Sequence, residues 1–370
     1  MAIKKGKKAL SFGVSLVFML LTIGLQPAFA NEAIQEEHPF EPEFNAGKMI
    51  IEHIIDSYEW HIATVGDKHI SVPLPVILYD DGTFHFFMSS KFHHGQSSYK
   101  GFEIAHEGSS KGKIVKKVED GTFVRPYDFS ITKNAFALFV SSTLMIIIFL
   151  SVSKAYKRTR KHAPKGIQSI VEPVIVFIRD EVARTSIGEK HYQRFLPYLL
   201  TVFFFIFFNN LLGLIPIFPL GANITGNLAI TGVLAFFTFL MTSLKGNKNY
   251  WAHIFNTPGV PWWLKLPLPL MPIIEIVGMF TKPFVLMVRL FANITAGHII
   301  ILGFISLIFV FGKVNIFAGY GMSILSITLA IFINFLELLV AFIQAYVFTL
   351  LSAIYFGMAV EEHSHEEQHH

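Results

Sequence analysis

One residue limits what this chain can fold into more than any other: an arginine in the middle of a long apolar stretch. Arg289 stands within Met287-Val288-Arg289-Leu290-Phe291-Ala292-Asn293-Ile294-Thr295-Ala296-Gly297-His298. Largely apolar sequence continues on both sides, from Ile273 to Phe280 and from Ile299 to Phe311. An arginine near a bilayer centre costs about 2.5–3.5 kcal/mol even on the lenient insertion scale. Such a charge faces the protein interior or a water cavity and has a partner. A cation at a helix end can instead snorkel to the surface, but the apolar flanks set Arg289 too deep for that.

The rest of the composition agrees with a membrane setting. Of 370 residues, 52% are hydrophobic and 15% charged, and the mean hydropathy is +0.51. These values describe a polytopic membrane protein. There is no cysteine, which excludes disulfides, thiolate nucleophiles and Cys-based zinc sites. The net charge is +4, with the basic residues clustered beside apolar spans, where they act as topology signals. No nucleic-acid partner is expected.

Residues 1–30 have the three parts of a cleaved secretory signal. Lys4, Lys5, Lys7 and Lys8 precede an apolar run from Leu10 to Leu25, and Ala28-Phe29-Ala30 is a small-x-small cleavage site. Cleavage would put residues 31–130 outside the cytoplasm. That segment is polar and rich in His and aromatics. Helical spacing over Asn45 to Asp56 is followed by β-like runs at His69 to Tyr79, Thr83 to Met88 and Lys113 to Val118, with turn signals at Asp81-Gly82 and Asp120-Gly121. The reading is a small, mostly β extracytoplasmic segment. His85, His93, His94 and His106 fit no compact ligand spacing and read as solvated surface residues.

The membrane domain is expected over residues 131–363. Asn134 to Val152 is long enough to cross. Lys154, Lys157, Arg158, Arg160, Lys161 and Lys165 follow, so that side is cytoplasmic. Ile167, Ile170, Val171, Val174, Ile175, Ile178 and Val182 then repeat at helical spacing as an amphipathic interfacial helix. Phe195 to Phe218 returns outward and stops at Ile215-Pro216-Ile217-Phe218-Pro219. Asn227 to Leu244 comes back in, marked by Lys245 and Lys248. Trp251, Trp262 and Trp263 fall in a loop expected at headgroup level. The sequons at Asn223-Ile224-Thr225 and Asn293-Ile294-Thr295 are discounted, one in a short loop and one in mid-membrane. Pro272 to Phe311 and Met322 to Met358 are over-long segments that must tilt, bend at Pro283 or lie partly in the interface, with an outer turn at Gly312 to Gly321. The expected fold is all-α and polytopic. Five mature transmembrane helices and the interfacial helix make it up, the last two long helices forming a tilted antiparallel hairpin. Residues 364–370 read as a disordered, His-rich cytoplasmic tail.

The two long segments hold the ionisable groups. At about 100° per residue, Glu275, Lys282 and Arg289 drift only about 20° per step of seven and form one stripe. Asn293 lies about 40° from Arg289, and His298 about 180° away. An antiparallel hairpin that opposes Arg289 to Gln344 also opposes His298 to Glu337, to within two residues. The rise is about 13 Å along the first helix and about 10 Å along the second. Two aqueous half-paths follow: one lined by His298, Glu337 and Asn334 from outside, the other marked by Glu275 from the cytoplasm. Histidine titrates near neutral pH and can pass protons on.

These residues resemble subunit a of the F-type ATP synthases. The likeness spans about residues 131–363. Its most specific part is Lys282-Pro283, Arg289-Leu290-Phe291-Ala292-Asn293 and Ala296-Gly297. Pro164-Lys165-Gly166-Ile167-Gln168, Asn209-Asn210-Leu211-Leu212-Gly213-Leu214-Ile215-Pro216, Gln344-Ala345-Tyr346-Val347-Phe348 and Met358-Ala359-Val360-Glu361-Glu362-His363 add to it. The resemblance implies that Arg289 is the family's essential arginine and Gln344 its mid-membrane glutamine. It implies that His298 and Glu337 are the outer-channel pair, in the order opposite to some bacterial members. It further implies a non-catalytic, cofactor-free stator subunit in the bacterial inner membrane. Its partners would be the c-ring, the subunit b peripheral stalk, the remaining ATP synthase complex and membrane lipid. The extension at 31–130 departs from the shorter bacterial form. A self-contained proton-coupled transporter would show an inverted repeat with broken helices, and an intramembrane hydrolase a His-Glu-x-x-His or Gly-x-Ser-x-Gly motif; the chain has neither.

Overall fold

The computed structural model describes residues 46–65, 68–106, 110–118, 122–158, 164–215, 221–255 and 270–361. The expected signal peptide, the Asp120-Gly121 turn, Pro216 to Pro219, Trp262, Trp263 and the tail lie outside the described residues. Phe44–His370 forms one compact unit.

The first part of that unit is a small β module. The helical spacing near residue 50 gives α1 (Ala46–Ile54). Among the described residues eight strands follow: β1 (Glu59–Val65), β2 (Lys68–Pro73), β3 (Pro75–Asp80), β4 (Thr83–Met88), β5 (Phe102–Ile104), β6 (Ile114–Lys117), β7 (Phe123–Val124) and β8 (Tyr127–Asp128). They form three small antiparallel sheets, ordered β1-β2, β4-β3-β8 and β5-β6-β7. The single run expected from His69 to Tyr79 is corrected here. It breaks between Pro73 and Pro75, where two missing N–H groups interrupt the ladder. β2 then pairs with β1, and β3 with β4 and β8. β3 alternates inward with Val76 and Leu78, both fully buried against Tyr58, Phe92, Phe102 and Ile114. Tyr58 donates to Asp128 at 2.5 Å; burial, followed by this bond, holds its phenol pKa well above the usual value.

The module joins the membrane helices without slack. Thr132 caps α2 (Lys133–Arg158), accepting from the Ala135 N–H at 3.4 Å. Lys133 N–H donates to the Ser57 carbonyl at 2.8 Å, and Asn134 N–H to Asp56 at 2.9 Å. Trp60 packs edge-on against Phe136 at 6.2 Å, in a buried cluster with Ala137, Ala222 and Ile224.

Among the described residues five helices are long and apolar enough to cross a membrane. They are α2, α4 (Tyr192–Gly213), α5 (Leu228–Lys245), α7 (Leu270–Val314) and α8 (Ile316–Val360). They match the five expected segments. α3 (Ile167–Phe177) continues through a π-helical turn, Ile178–Arg184, into the short stretch Thr185–Ile187. Its apolar stripe reaches protein as well as surface. Val171, Ile178 and Val182 are buried, while Ile167 and Ile170 remain exposed. Asp180 ties the polar side, accepting from Arg179 at 2.7 Å and from Arg184 at 3.1 Å. The short α6 (Lys248–Phe255) lies after α5.

α7 and α8 pack along their whole length. Only Asn315 separates them, capping α8 by accepting from Phe317 N–H at 3.0 Å. The ten-residue turn expected at Gly312 to Gly321 is therefore wrong. Gly312 and Gly319 let the two backbones approach, since a Cβ on Gly319 would lie 2.8 Å from Gly312 Cα. With that close contact available, both helices extend to the very tip. The core lies where α4 and the second half of α8 meet, with Phe195 stacked on Phe356 at 4.7 Å.

Candidate functional site

On α7 a buried ridge and an exposed polar face lie side by side. Leu286, Leu290 and Ile294 recur every four residues and are buried in the core. Arg289 and Asn293, one residue before two of these, are exposed. Within about 60° of Arg289 round the helix, Val285, Ala292 and Ala296 are also exposed and apolar. No hydrogen bond or ion pair joins Arg289 to another described residue; Tyr355 lies within its electrostatic range.

His298 and Glu337 meet across the hairpin. His298 Nδ1 stands 3.5 Å from Glu337 Oε1, with side chains only 14% and 11% exposed. The expected register between α7 and α8 is observed at this pair. Gly297 makes it possible, because a Cβ there would overlap the Glu337 carboxylate. Among the described residues, Glu337 Oε2, His298 Nδ1 and the Thr295 hydroxyl are buried with no hydrogen-bond partner. Leaving such atoms without partners in a dry interior costs roughly 1–3 kcal/mol each.

The other expected residues divide between the two sides. Gln344 is 7% exposed and buried on α8. Asn334 is exposed: three residues before Glu337, it lies about 60° round the helix and is not enclosed with the pair. At the Lys245 end, Lys282 sits over the Tyr355 ring at 5.7 Å. Both line a small cavity with Thr238, Thr242 and Tyr250. Burial, then the nearby Glu275 charge, raises the pKa of Tyr250. Of the stripe Glu275, Lys282 and Arg289, Lys282 lines this hollow.

Several polar residues escaped the sequence reading. Tyr198 and Thr238 hydroxyls are 2.9 Å apart, and Thr238 and Ser352 hydroxyls 3.4 Å apart, joining α4, α5 and α8. Thr225 donates to Asn210 Oδ1 at 2.5 Å, and Asn210 Nδ2 donates to the Ala341 carbonyl at 3.3 Å. Asn210 lies in one quoted motif and Thr225 in a discounted sequon; both prove to be nearly solvent-free. Their apolar neighbours were the available signal, since a buried amide needs a partner. In the module, His94 pairs with Glu59 at 2.8 Å and His106 contacts the Gly95 carbonyl at 2.8 Å.

A family model described as "ATP synthase A chain" matches residues 136–357. The chain belongs to the ATP synthase A chain family. Among relatives in the family, "ATP synthase subunit a" of Chloroherpeton thalassium is 42% identical over 261 residues, covering 69% of this chain and 72% of the relative. "ATP synthase subunit a 2" of Prosthecochloris aestuarii is 46% identical over 246 residues, covering 65% and 72%. "ATP synthase subunit a" of an Anaeromyxobacter species is 38% identical over 282 residues, covering 73% and 64%. The family match spans all of α3 to α7 and holds Arg289, His298, Glu337 and Gln344. Residues 49–129, the β module, match a separate model described only as a domain of unknown function.

Proposed function

We propose that this chain is the stationary subunit beside a rotating c-ring in a bacterial inner membrane, and that it carries two proton half-paths separated by Arg289. The observation that supports this most is that Arg289 and Asn293 are exposed among exposed Val285, Ala292 and Ala296, with no hydrogen bond or ion pair from Arg289 to another described residue. A guanidinium facing lipid there is costly; facing a ring carboxylate, it gains a partner. Two unit charges 4 Å apart at an effective dielectric of 20 interact by about 4 kcal/mol. That is roughly three pKa units of acidification, offsetting much of the rise from lipid burial. A ring carboxylate arriving at Arg289 therefore releases its proton.

The outer path runs to the His298–Glu337 pair, with Asn334 and Gln344 farther along α8. The inner path follows Glu275, Lys282 and the hollow under Tyr355. Arg289 lies between them, so a proton crosses only by riding the ring. Each charge moved through 100 mV supplies about 2.3 kcal/mol. In this reading residues 31–130 lie outside, the C-terminus lies in the cytoplasm, and ATP chemistry belongs to other subunits. Affinity purification from membranes tests the assignment. A stator subunit should bring down a ring of c subunits and the peripheral stalk formed by subunit b. A self-contained transporter would purify without them, and that outcome would refute the proposal.

A further inference from the structure

Among the described residues, the outward face of the β4-β3-β8 sheet has almost no polar group, and its Phe side chains and Tyr127 stand largely exposed. Antiparallel pairing sets Met88 opposite Pro75, Phe86 opposite Ile77, and Phe84 opposite Tyr79, which in turn faces Tyr127. The ladder continues past β8, because Phe129 N–H donates to the Ile77 carbonyl at 2.9 Å and Ile131 N–H to the Pro75 carbonyl at 3.0 Å. With side chains alternating between faces, all these residues share the face opposite the buried Val76 and Leu78. Phe84, Phe86, Tyr127 and Phe129 are 56%, 65%, 73% and 62% exposed.

The face is graded along the strands. The row nearest α2 is Ile131, Pro75 and Met88, wholly apolar. The next is Phe129, Ile77 and Phe86. The third, Tyr127, Tyr79 and Phe84, brings in two phenol hydroxyls. Beyond it the β3-β4 turn carries Asp80 and Asp81, both held by Lys116. Apolar, then aromatic with hydroxyl, then charged is the order a surface meets on leaving a bilayer.

We infer that this sheet face is seated in the lipid leaflet at the Lys133 end of α2, making the module a membrane-interface anchor. Two facts choose lipid as the occupant. First, Ile131 lies two residues before Lys133, and the junction is fixed by the Ser57 and Asp56 hydrogen bonds, so the sheet cannot swing away. Second, the apolar span Lys133–Lys157 has 25 residues, about 37 Å of helix against roughly 30 Å of hydrocarbon. Its ends therefore reach the boundary between acyl chains and headgroups, and so does Ile131. From Ile131 to Tyr127 the strand rises about 13 Å, which takes the face from that boundary through the headgroups to the water side.

The inference rests on the membrane placement of α2 and not on the proton path. The chain has no cysteine, so single labels are unambiguous. Spin labels at Phe129→Cys, Phe86→Cys and Phe84→Cys are to be placed in the complex, with its other subunits made cysteine-free, in lipid nanodiscs. Collision with oxygen is compared with collision with a water-soluble nickel chelate. Ile147→Cys, an exposed position within α2, is the lipid reference, and Thr122→Cys the aqueous one. The expected result is an oxygen-to-nickel ratio at Phe129 and Phe86 that lies between those of Ile147→Cys and Thr122→Cys, falling further at Phe84. A ratio matching Thr122→Cys at Phe129 and Phe86 would overturn the inference. Low collision with both reagents would also overturn it, because a protein partner would then cover the face. Failure of Ile147→Cys itself to read as lipid would instead count against the placement of α2.

Discussion

The α7–α8 hairpin treats its two sets of ionisable groups in opposite ways. His298 and Glu337 are enclosed and face each other at 3.5 Å. Arg289 and Asn293, on the same helix, are exposed among Val285, Ala292 and Ala296. The enclosed groups face each other within the chain. One helix thus carries both an enclosed acid–base pair and, in the function proposed above, a charge whose partner comes from another molecule. The difference lies in angular position alone: nine residues separate Arg289 from His298, half a turn in phase.

The enclosed side depends on Gly297. Gly297→Ala would push the Glu337 carboxylate away from His298. Proton-driven ATP synthesis should fall about tenfold or more, the equivalent of roughly 1.4 kcal/mol in the barrier. Gly303→Ala, where an added Cβ meets nothing within 4 Å, should be neutral. Equal effects in both would show that helix flexibility, not room for Glu337, is what Gly297 supplies.

A smaller effect is expected from exchanging the pair. His298→Glu with Glu337→His should retain several-fold more proton flux than either single change, since each single change sets two acids or two bases together in low dielectric. Equal loss in all three variants would count against direct coupling.

The smallest effect lies in the β module and bears on stability alone. The raised Tyr58 pKa means the folded module holds the phenol proton more tightly than the unfolded chain does. Its stabilising contribution is complete below the ordinary tyrosine value of about 10, and is lost as pH rises from there through the higher folded-state value. Tyr58→Phe should flatten that alkaline loss and cost about 1–3 kcal/mol at neutral pH, for one hydrogen bond to a charged group. Thermal unfolding of the module's near-ultraviolet signal between pH 8 and about 11 reads this; an unchanged pH dependence would discount the Tyr58–Asp128 bond. Proton flux should be unaffected at neutral pH.

Much of the hairpin was legible in the sequence, because period and register are arithmetic. Five spans and the His298–Glu337 contact follow from hydropathy and the opposition of residue numbers. What escaped was what arithmetic on one helix leaves out. The tip at Asn315 depends on two glycines meeting across helices. The Thr225–Asn210 bond depends on a loop folding over a helix end. The strand break between Pro73 and Pro75 was visible as a pair of missing donors, yet the alternating pattern on either side masked it. Strands β5, β7 and β8 are two or three residues long, too short to carry a period.

The most direct test of the account is acid-driven proton flux and ATP synthesis in vesicles carrying Arg289→Ala or Arg289→Lys, with c-ring association checked on the same membranes. Both variants should insert and assemble, and both should abolish proton-driven synthesis. Alanine removes the cation that draws the ring carboxylate to release its proton and opens a passive leak between the half-paths. Lysine keeps a charge, but its compact, strongly hydrated ammonium loses its proton readily on burial. Near-normal synthesis by an assembled Arg289→Ala complex would contradict the account.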